Sequence, residues 1–315
     1  MSSTESLRAD KLFSVKDYTC VVTGGGTGIG LMAAQALAAN GAHVYITGRR
    51  MEALEQAAKS HSPANGGKIT PYVLAALPLF IPSSVFFSHA SCPSIGPCDV
   101  TKKGDLEKIV AEISSKEKYI NLLVAAAGIS GPKAEPDEED ASKLKEKLMS
   151  KETFAQWSDT FNTNVTSVYF STVAFLPLLQ AGRESHGHLS ASVIVISSMS
   201  GIMSHAQGHF SYNAAKGATV HLSKLMAYEF KKAGIRVNSI APGYFPSEMT
   251  TKESDEHQKS ELPDHKIREK GHVPLGRAGS DEEMAQGIIF LTKNKYVNGQ
   301  ILAIDGGVLL EVPSH

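Results

Sequence analysis

Six short, almost wholly apolar runs, each followed by a helix-patterned segment, constrain this 315-residue chain more than any other feature. The runs are 19–25 (TCVVTGG), 43–48 (HVYITG), 121–128 (NLLVAAAG), 192–198 (SVIVISS), 236–243 (RVNSIAPG) and 300–307 (QILAIDGG). Near-continuous apolar character, rather than strict alternation, marks parallel strands covered on both faces. Helical patterns fall between them at 28–40, 51–60, 101–116, 154–179, 211–232 and 280–291. In the third, Leu106, Ile109, Val110 and Ile113 form one apolar stripe behind Thr101, which reads as the N-cap. The alternation predicts an α/β fold built on a doubly wound parallel sheet. The length suits one large α/β domain or two small ones. With no internal repeat and no second rhythm, the reading is a single domain over 1–315 with its core at 17–310.

Composition excludes several classes. A net charge of -1 gives no bulk attraction for nucleic acid or an anionic membrane. Cys20, Cys92 and Cys98 are too few and too irregular for a disulfide framework or a zinc site. The first ten residues carry two acids and no apolar core, unlike a signal peptide. The apolar run 72–81 is broken by Pro78 and too short to span a bilayer. A cytoplasmic protein in a reducing compartment, with no metal site, is expected.

Thr23-Gly24-Gly25-Gly26-Thr27-Gly28-Ile29-Gly30 follows the first strand and opens the first helix. Glycines let the backbone approach a pyrophosphate, while the helix start supplies free N–H groups and a positive dipole. A glycine run alone is a weak signal; its position here favours a dinucleotide. An NAD site would place an acid at the end of the second strand, but this chain has Gly48-Arg49-Arg50. Guanidinium forks suit a ribose 2′-phosphate, so NADP(H) is favoured over NAD(H).

Tyr212 and Lys216 stand four apart on one face of the fifth helix. A free phenol titrates near 10, and a nearby ammonium pulls that value towards working pH. Ser197-Ser198 closes the preceding strand, at the end where such sheets present their chemistry. With these residues in view the chain resembles the short-chain dehydrogenase/reductase family, single-domain Rossmann type. Thr23–Gly30, Asp99-Val100, Asn164, Ser198, Tyr212, Lys216, Asn238, Pro242-Gly243 and Asp305-Gly306-Gly307 all occur in family order. The ordered set is specific where no single motif is.

The resemblance implies roles. Tyr212 gives a proton to a carbonyl oxygen as hydride arrives, or takes one in reverse; Lys216 lowers the phenol pKa and holds the nicotinamide ribose. Ser198 binds the substrate oxygen, and Asn164 holds a water relaying protons to Lys216. Cofactor contacts are Thr23, Gly24, Gly26, Thr27, Gly28, Ile29, Gly30, Arg49, Arg50, Asp99, Val100, Ala127, Gly128, Tyr212, Lys216, Pro242 and Gly243. The expected activity is NADPH-dependent reduction of a small-molecule carbonyl substrate. The alternatives are an NAD(P)-dependent secondary alcohol dehydrogenase and a catalytically silent binding subunit. A homodimer or homotetramer is implied as well. The segment Ala241–Thr250 is similar to rhamnolipid-type 3-oxoacyl-carrier reductases, which suggests a 3-oxoacyl or related ketone.

The chain departs from that pattern in places. Ala125-Ala126-Ala127-Gly128 stands where the family has Asn-Asn-Ala-Gly, losing amides that brace the sheet. His205 and His209 precede Tyr212 at the expected substrate mouth, either as substrate contacts or as solvated loop residues. The stretch 249–272, holding His257 and His265, reads as a substrate lid and not a metal site. Two segments exceed the family length by about 25 and about 14 residues. The second, 133–152, is charged and helix-favouring, a solvated surface helix. The first, near 72–96, is apolar, Pro-rich and uncharged. It reads as an insertion between Lys68–Pro71 and 97–100, the two ends of the third strand. A translated intervening sequence and an apolar flap are the two readings of it.

Overall fold

The apolar runs become strands of one seven-stranded parallel sheet ordered β3-β2-β1-β4-β5-β6-β7. The structure is a computed structural model that describes residues 4–64, 66–72, 98–185 and 191–314. The strands are β1 (Thr19–Thr23), β2 (His43–Thr47), β3 (Lys68–Pro71), β4 (Leu122–Ala125), β5 (Ser192–Ile196), β6 (Arg236–Pro242) and β7 (Ile301–Ile304). The helices are α1 (Ala9–Leu12), α2 (Gly28–Ala39), α3 (Met51–His61), α4 (Lys103–Lys116), α5 (Ala141–Lys151) and α6 (Phe154–Phe161). Then come α7 (Ser167–Ser185), α8 (Phe210–Phe230), α9 (Glu248–Thr251), α10 (Asp264–Arg268), α11 (Asp281–Lys293) and α12 (Val308–Glu311).

Every residue of β1, β4, β5 and β6 is buried, which is why these strands lack alternation. Successive residues feed opposite faces. Val22, Val124 and Ile194 pack with Leu31 and Leu37 of α2 and Ile288 of α11. Val21, Leu123 and Val193 pack with Ile113 of α4, Phe175 of α7 and Met226 of α8. The fold is therefore the expected doubly wound α/β sheet. Its strand order reverses between β1 and β4, which opens a crevice beyond their C-terminal ends. Fully buried Arg236 ties β6 to the end of α11, donating to the carbonyls of Leu291, Thr292, Asn294 and Val297. A cation on helix-terminal carbonyls is favourably placed.

Several local expectations are corrected. The helix expected over 154–179 is two helices, α6 and α7, joined by a π-turn at Asn162–Thr166. Asn164 explains the break: its Nδ2 donates to the Thr160 carbonyl four residues back, replacing a backbone donor. The stretch Phe154–Glu184 has the length and mean hydropathy (1.3) of a membrane span. Phe175 and Leu179 nevertheless lie fully buried in the sheet's core, the behaviour of a core helix. Thr101 does not cap α4. The cap is Lys102, while the Thr101 hydroxyl donates to Asp99 at 2.7 Å. Cys98 and Asp99 are not strand, although the Cys98 amide donates to Gly48 O at 3.0 Å, just beyond β2. Of the charged segment 133–152 only α5 is helical, starting at an Asp140 cap, with its side of the chain exposed. Residues 73–96 of the expected insertion lie outside the described residues. Tyr72 at its edge is buried, with its amide on Ile46 O.

Candidate active site

A cleft of about 1650 Å³ runs along the C-terminal ends of the strands. Its inner end is formed by the loop between β1 and α2. Gly24 holds φ at +68°, and a Cβ there would lie 2.9 Å from Ala127 Cα. At Gly30 a Cβ would meet the Gly24 carbonyl at 2.1 Å, so the turn closes only on glycine. Thr27 begins α2 without a side-chain cap, and no acid occupies the first turn. The amides of that turn are thus left for an anion, beside a positive helix dipole. A diphosphate fits this donor set, and the backbone can approach it closely.

Arg49, Arg50, Asp99 and Val100 line the same cleft, as do Ala127, Gly128, Pro242 and Gly243. Thr23 does not: it is buried, and its hydroxyl accepts the Ala126 amide at 3.2 Å. That bond braces β1 to the chain leaving β4, where the family's asparagine amides are missing. Burial would raise the Asp99 carboxyl, but hydrogen bonds from Thr101 hold it below its ordinary value. Arg50 is not free for a phosphate as expected. Its guanidinium grips Glu248 of α9 with two bonds, 3.0 and 2.6 Å, and holds that carboxyl low. Arg49 makes no ion pair among the described residues. Glu248 was invisible to motif reasoning, being 198 positions from Arg50.

On the cleft wall, Ser197-Ser198 directly follow β5 and α8 presents Tyr212 and Lys216. Ser198 Oγ accepts from the Ser200 amide at 3.1 Å, and its hydroxyl sits near enough to the Tyr212 phenol to oppose the rise in pKa that burial causes. Lys216, 4% exposed, donates to Ile196 O at 2.9 Å and lies 5.6 Å from the Tyr212 ring centre. Burial pushes its pKa down to about 8. The expected lowering of the phenol by Lys216 is not what this structure has. Burial raises Tyr212 above its ordinary value, and the neighbouring Ser198 hydroxyl opposes that rise. The reason is geometric: the ammonium is turned to the strand carbonyl.

Asn164 stands behind this wall and is fully buried. It donates to Ile129 O at 2.9 Å and accepts the Ile129 amide at 3.3 Å. Thr219 Oγ1 of α8 lies 2.8 Å from both Asn164 O and Ala215 O and donates to one of them. A Cβ on Gly128 would sit 2.8 Å from Asn164 Oδ1 and 3.7 Å from Lys216 Nζ. Both polar ends therefore converge on one side of Gly128. His205 and His209 line the outer cleft together with Gln207, Tyr244, Lys270 and His272, the last four unforeseen. The stretch 249–272 is folded, with α10 inside it, and it is anchored on α3. His61 Nε2 contacts His257 O at 2.6 Å, and Lys259 pairs with Asp281 of α11. Among the described residues no three His, Cys, Asp or Glu gather as metal ligands.

A phosphate cradle, a phenol–hydroxyl pair and a buried amine in one cleft match what known sequences show. Residues 88–309 match a family model described as enoyl-(acyl carrier protein) reductase, and residues 18–75 match one described as short chain dehydrogenase. The chain belongs to the short-chain dehydrogenase/reductase family. The short-chain dehydrogenase/reductase PhomF of Diaporthe leptostromiformis is 39% identical over 99% of this chain and 98% of its own. A 3-oxoacyl-(acyl-carrier-protein) reductase of Chlamydia muridarum is 30% identical over 91% of this chain and 96% of its own. The Pseudomonas aeruginosa RhlG/NADP active-site complex superposes with a TM-score of 0.72 at 28% identity, covering 94% of this chain and 98% of that one. As a member of this family the protein is an NAD(P)-dependent oxidoreductase acting on carbonyl or alcohol groups.

Proposed function

We propose that the protein reduces a ketone at the expense of NADPH, with Tyr212 as the proton donor. The observation that carries this reading is the Tyr212 phenol beside the Ser198 hydroxyl in one cleft, with a buried ammonium one helical turn behind it. The dinucleotide would be held by the first-turn amides of α2 and by Arg49, and it supplies the hydride when bound. Burial keeps Tyr212 protonated across the neutral range, the form that a proton donor needs. Ser198 holds the carbonyl oxygen beside the phenol. Lys216 offsets the charge left on Tyr212 once its proton has gone, and Asn164 steadies the route by which that proton is replaced.

Arg49, which makes no ion pair among the described residues, supports NADPH over NADH through the 2′-phosphate. The substrate class we favour is a 3-oxoacyl compound or a related ketone, by analogy with the names of the relatives. Exposed Tyr169 and Phe170 on α7, with Leu225 and Tyr228 on α8, support self-association as a homodimer or homotetramer. The test is the oxidation of NADPH and of NADH against a panel of 3-oxoacyl thioesters and simple ketones. Equal rates with both cofactors would remove the role given to Arg49. Unchanged reduction by Tyr212→Phe would remove the catalytic assignment.

A further inference from the structure

Beyond the catalytic wall, three loops at the ends of β4, β5 and β6 bring a set of nitrogen-rich side chains to the outer cleft. Lys133 comes from the first, Gln207 and His209 from the second, and Tyr244, Lys270 and His272 from the third. Their hydrogen bonds can be followed in order. Lys270 O can only accept, so His272 Nδ1, 2.7 Å away, carries a proton. In the neutral ring Nε2 is then an acceptor, and it takes the Tyr244 hydroxyl proton at 2.9 Å. The Tyr244 oxygen in turn accepts from Gln207 Nε2 at 2.9 Å. Gln207 stands at φ +51°, a left-handed conformation that side chains other than Gly and Asn adopt at a cost.

This chain of bonds does not end on a reactive group; it fixes Tyr244 and the backbone of Lys270. The Lys270 ammonium is thereby held 4.7 Å from the centre of the Tyr244 ring. No ion pair forms to Lys270 among the described residues, whereas Lys133 has Glu135 at 2.9 Å. Burial, and then the charge of Lys133, hold the Lys270 pKa below its ordinary value, so two like charges face one space. His209 adds a buried Nδ1 with no hydrogen-bond partner among the described residues. The cleft's carboxylates outside the dinucleotide end are Glu135, already engaged by Lys133, and Asp159 on α6. An unpaired ammonium held at the mouth of a reaction cleft is an arrangement that an anion completes.

We propose that this outer end binds an oxyanion carried by the substrate, a carboxylate or a phosphate, with Lys270 as its principal partner and Lys133 supporting it. The proposal rests on the ketone-reduction reading and narrows it to an anionic carbonyl compound. An oxyanion here fixes the substrate's far end, so that its carbonyl is delivered to Ser198 and Tyr212.

Two substrate pairs separate the sources of charge. A 3-oxo acid is compared with its methyl ester, and a 3-oxoacyl coenzyme A with the same acyl group on N-acetylcysteamine. For each pair kcat/KM with NADPH is measured, and binding to the NADP⁺-saturated protein is titrated by calorimetry. We expect the charged member of one pair to be favoured by about tenfold or more, the size of one charge-assisted contact. Preference for the acid identifies a carboxylate; preference for the coenzyme A thioester identifies a phosphate. Lys270→Gln should reduce that charged-to-neutral ratio about tenfold, mainly through KM, and Lys270→Arg should preserve it. Equal handling of both members of both pairs, or a ratio untouched by Lys270→Gln, would overturn the proposal. Should no compound oxidise NADPH while the calorimetric preference persists, the oxyanion site stands and the reduction reading falls.

Discussion

At the floor of the cleft Lys216 is 4% exposed, and its ammonium is fixed on a strand carbonyl. At the rim the Arg50 side chain is 58% exposed and meets Glu248 across 198 residues of chain. The floor is made from strand ends and a helix face, where low dielectric strengthens each polar contact and penalises its loss. The rim is made from loops in solvent, where screening and side-chain entropy leave each pair a modest net value. Chemistry placed on the first and recognition on the second lets binding preferences change without disturbing the proton donor.

The largest effect that could break this contrast is at Tyr212. Tyr212→Phe should lower kcat by about a thousandfold, the middle of the range for a lost general acid, while NADPH affinity stays within about twofold. Retention of a tenth of the rate would mean that the floor is not where the proton comes from. Lys216 gives the next test. In the unfolded chain it titrates near 10.4, but folded at about 8. Between those values the unfolded chain binds more protons, so stability contributed at this site rises with pH. Below pH 8 the full burial penalty applies, on the order of 3 kcal/mol. Lys216→Met should therefore be nearly inactive yet at least as stable as the wild type at pH 7, with its advantage shrinking by pH 10 in urea titrations. A gap that does not change with pH would show the amine to be cheaply buried.

Rim variants should be gentler. Arg49→Ala is expected to raise KM for NADPH about tenfold and to leave NADH little changed, consistent with one lost phosphate pair. Glu248→Gln releases Arg50 and should lower KM for NADPH two- to threefold, roughly the value of an exposed ion pair. Both differences should narrow in 0.5 M salt, on the order of a 4 Å screening length. Salt-independent changes would place these residues among the buried machinery after all.

The strands were legible because burial on both faces leaves a nearly unbroken apolar run, as in Ser192–Ile196. Tyr212, Lys216 and the glycine loop were legible because their spacing is local. The break between α6 and α7 was not, since no proline or glycine stands at 162–166 and only the contacts of Asn164 reveal the extra residue. Nor could spacing reveal the capture of Arg50 by Glu248, or the joining of Gln207, Tyr244 and His272. Those pairings are made by the fold and leave no period in the chain. Thr101 misled for a smaller reason: its hydroxyl found Asp99 two residues back before the helix could use it.

The wide turn at Asn162–Thr166 carries one residue more than an α-helix needs. Loss of a single codon there, Thr163 for instance, would let α6 and α7 run on as one regular rod. A π-turn carries five residues over about the rotation that four take in an α-helix, so α6 would keep its facing relative to α7 and only the bulge would tighten. Thr160 would stay in the small gap beside Gly131, where even a Cβ would come within 2.5 Å of its hydroxyl. Outer loops of such a protein tolerate insertions and losses. Here the wide turn absorbs the extra residue, so one-residue length variation in relatives that keep this wall should fall at these five positions rather than elsewhere in α6 or α7.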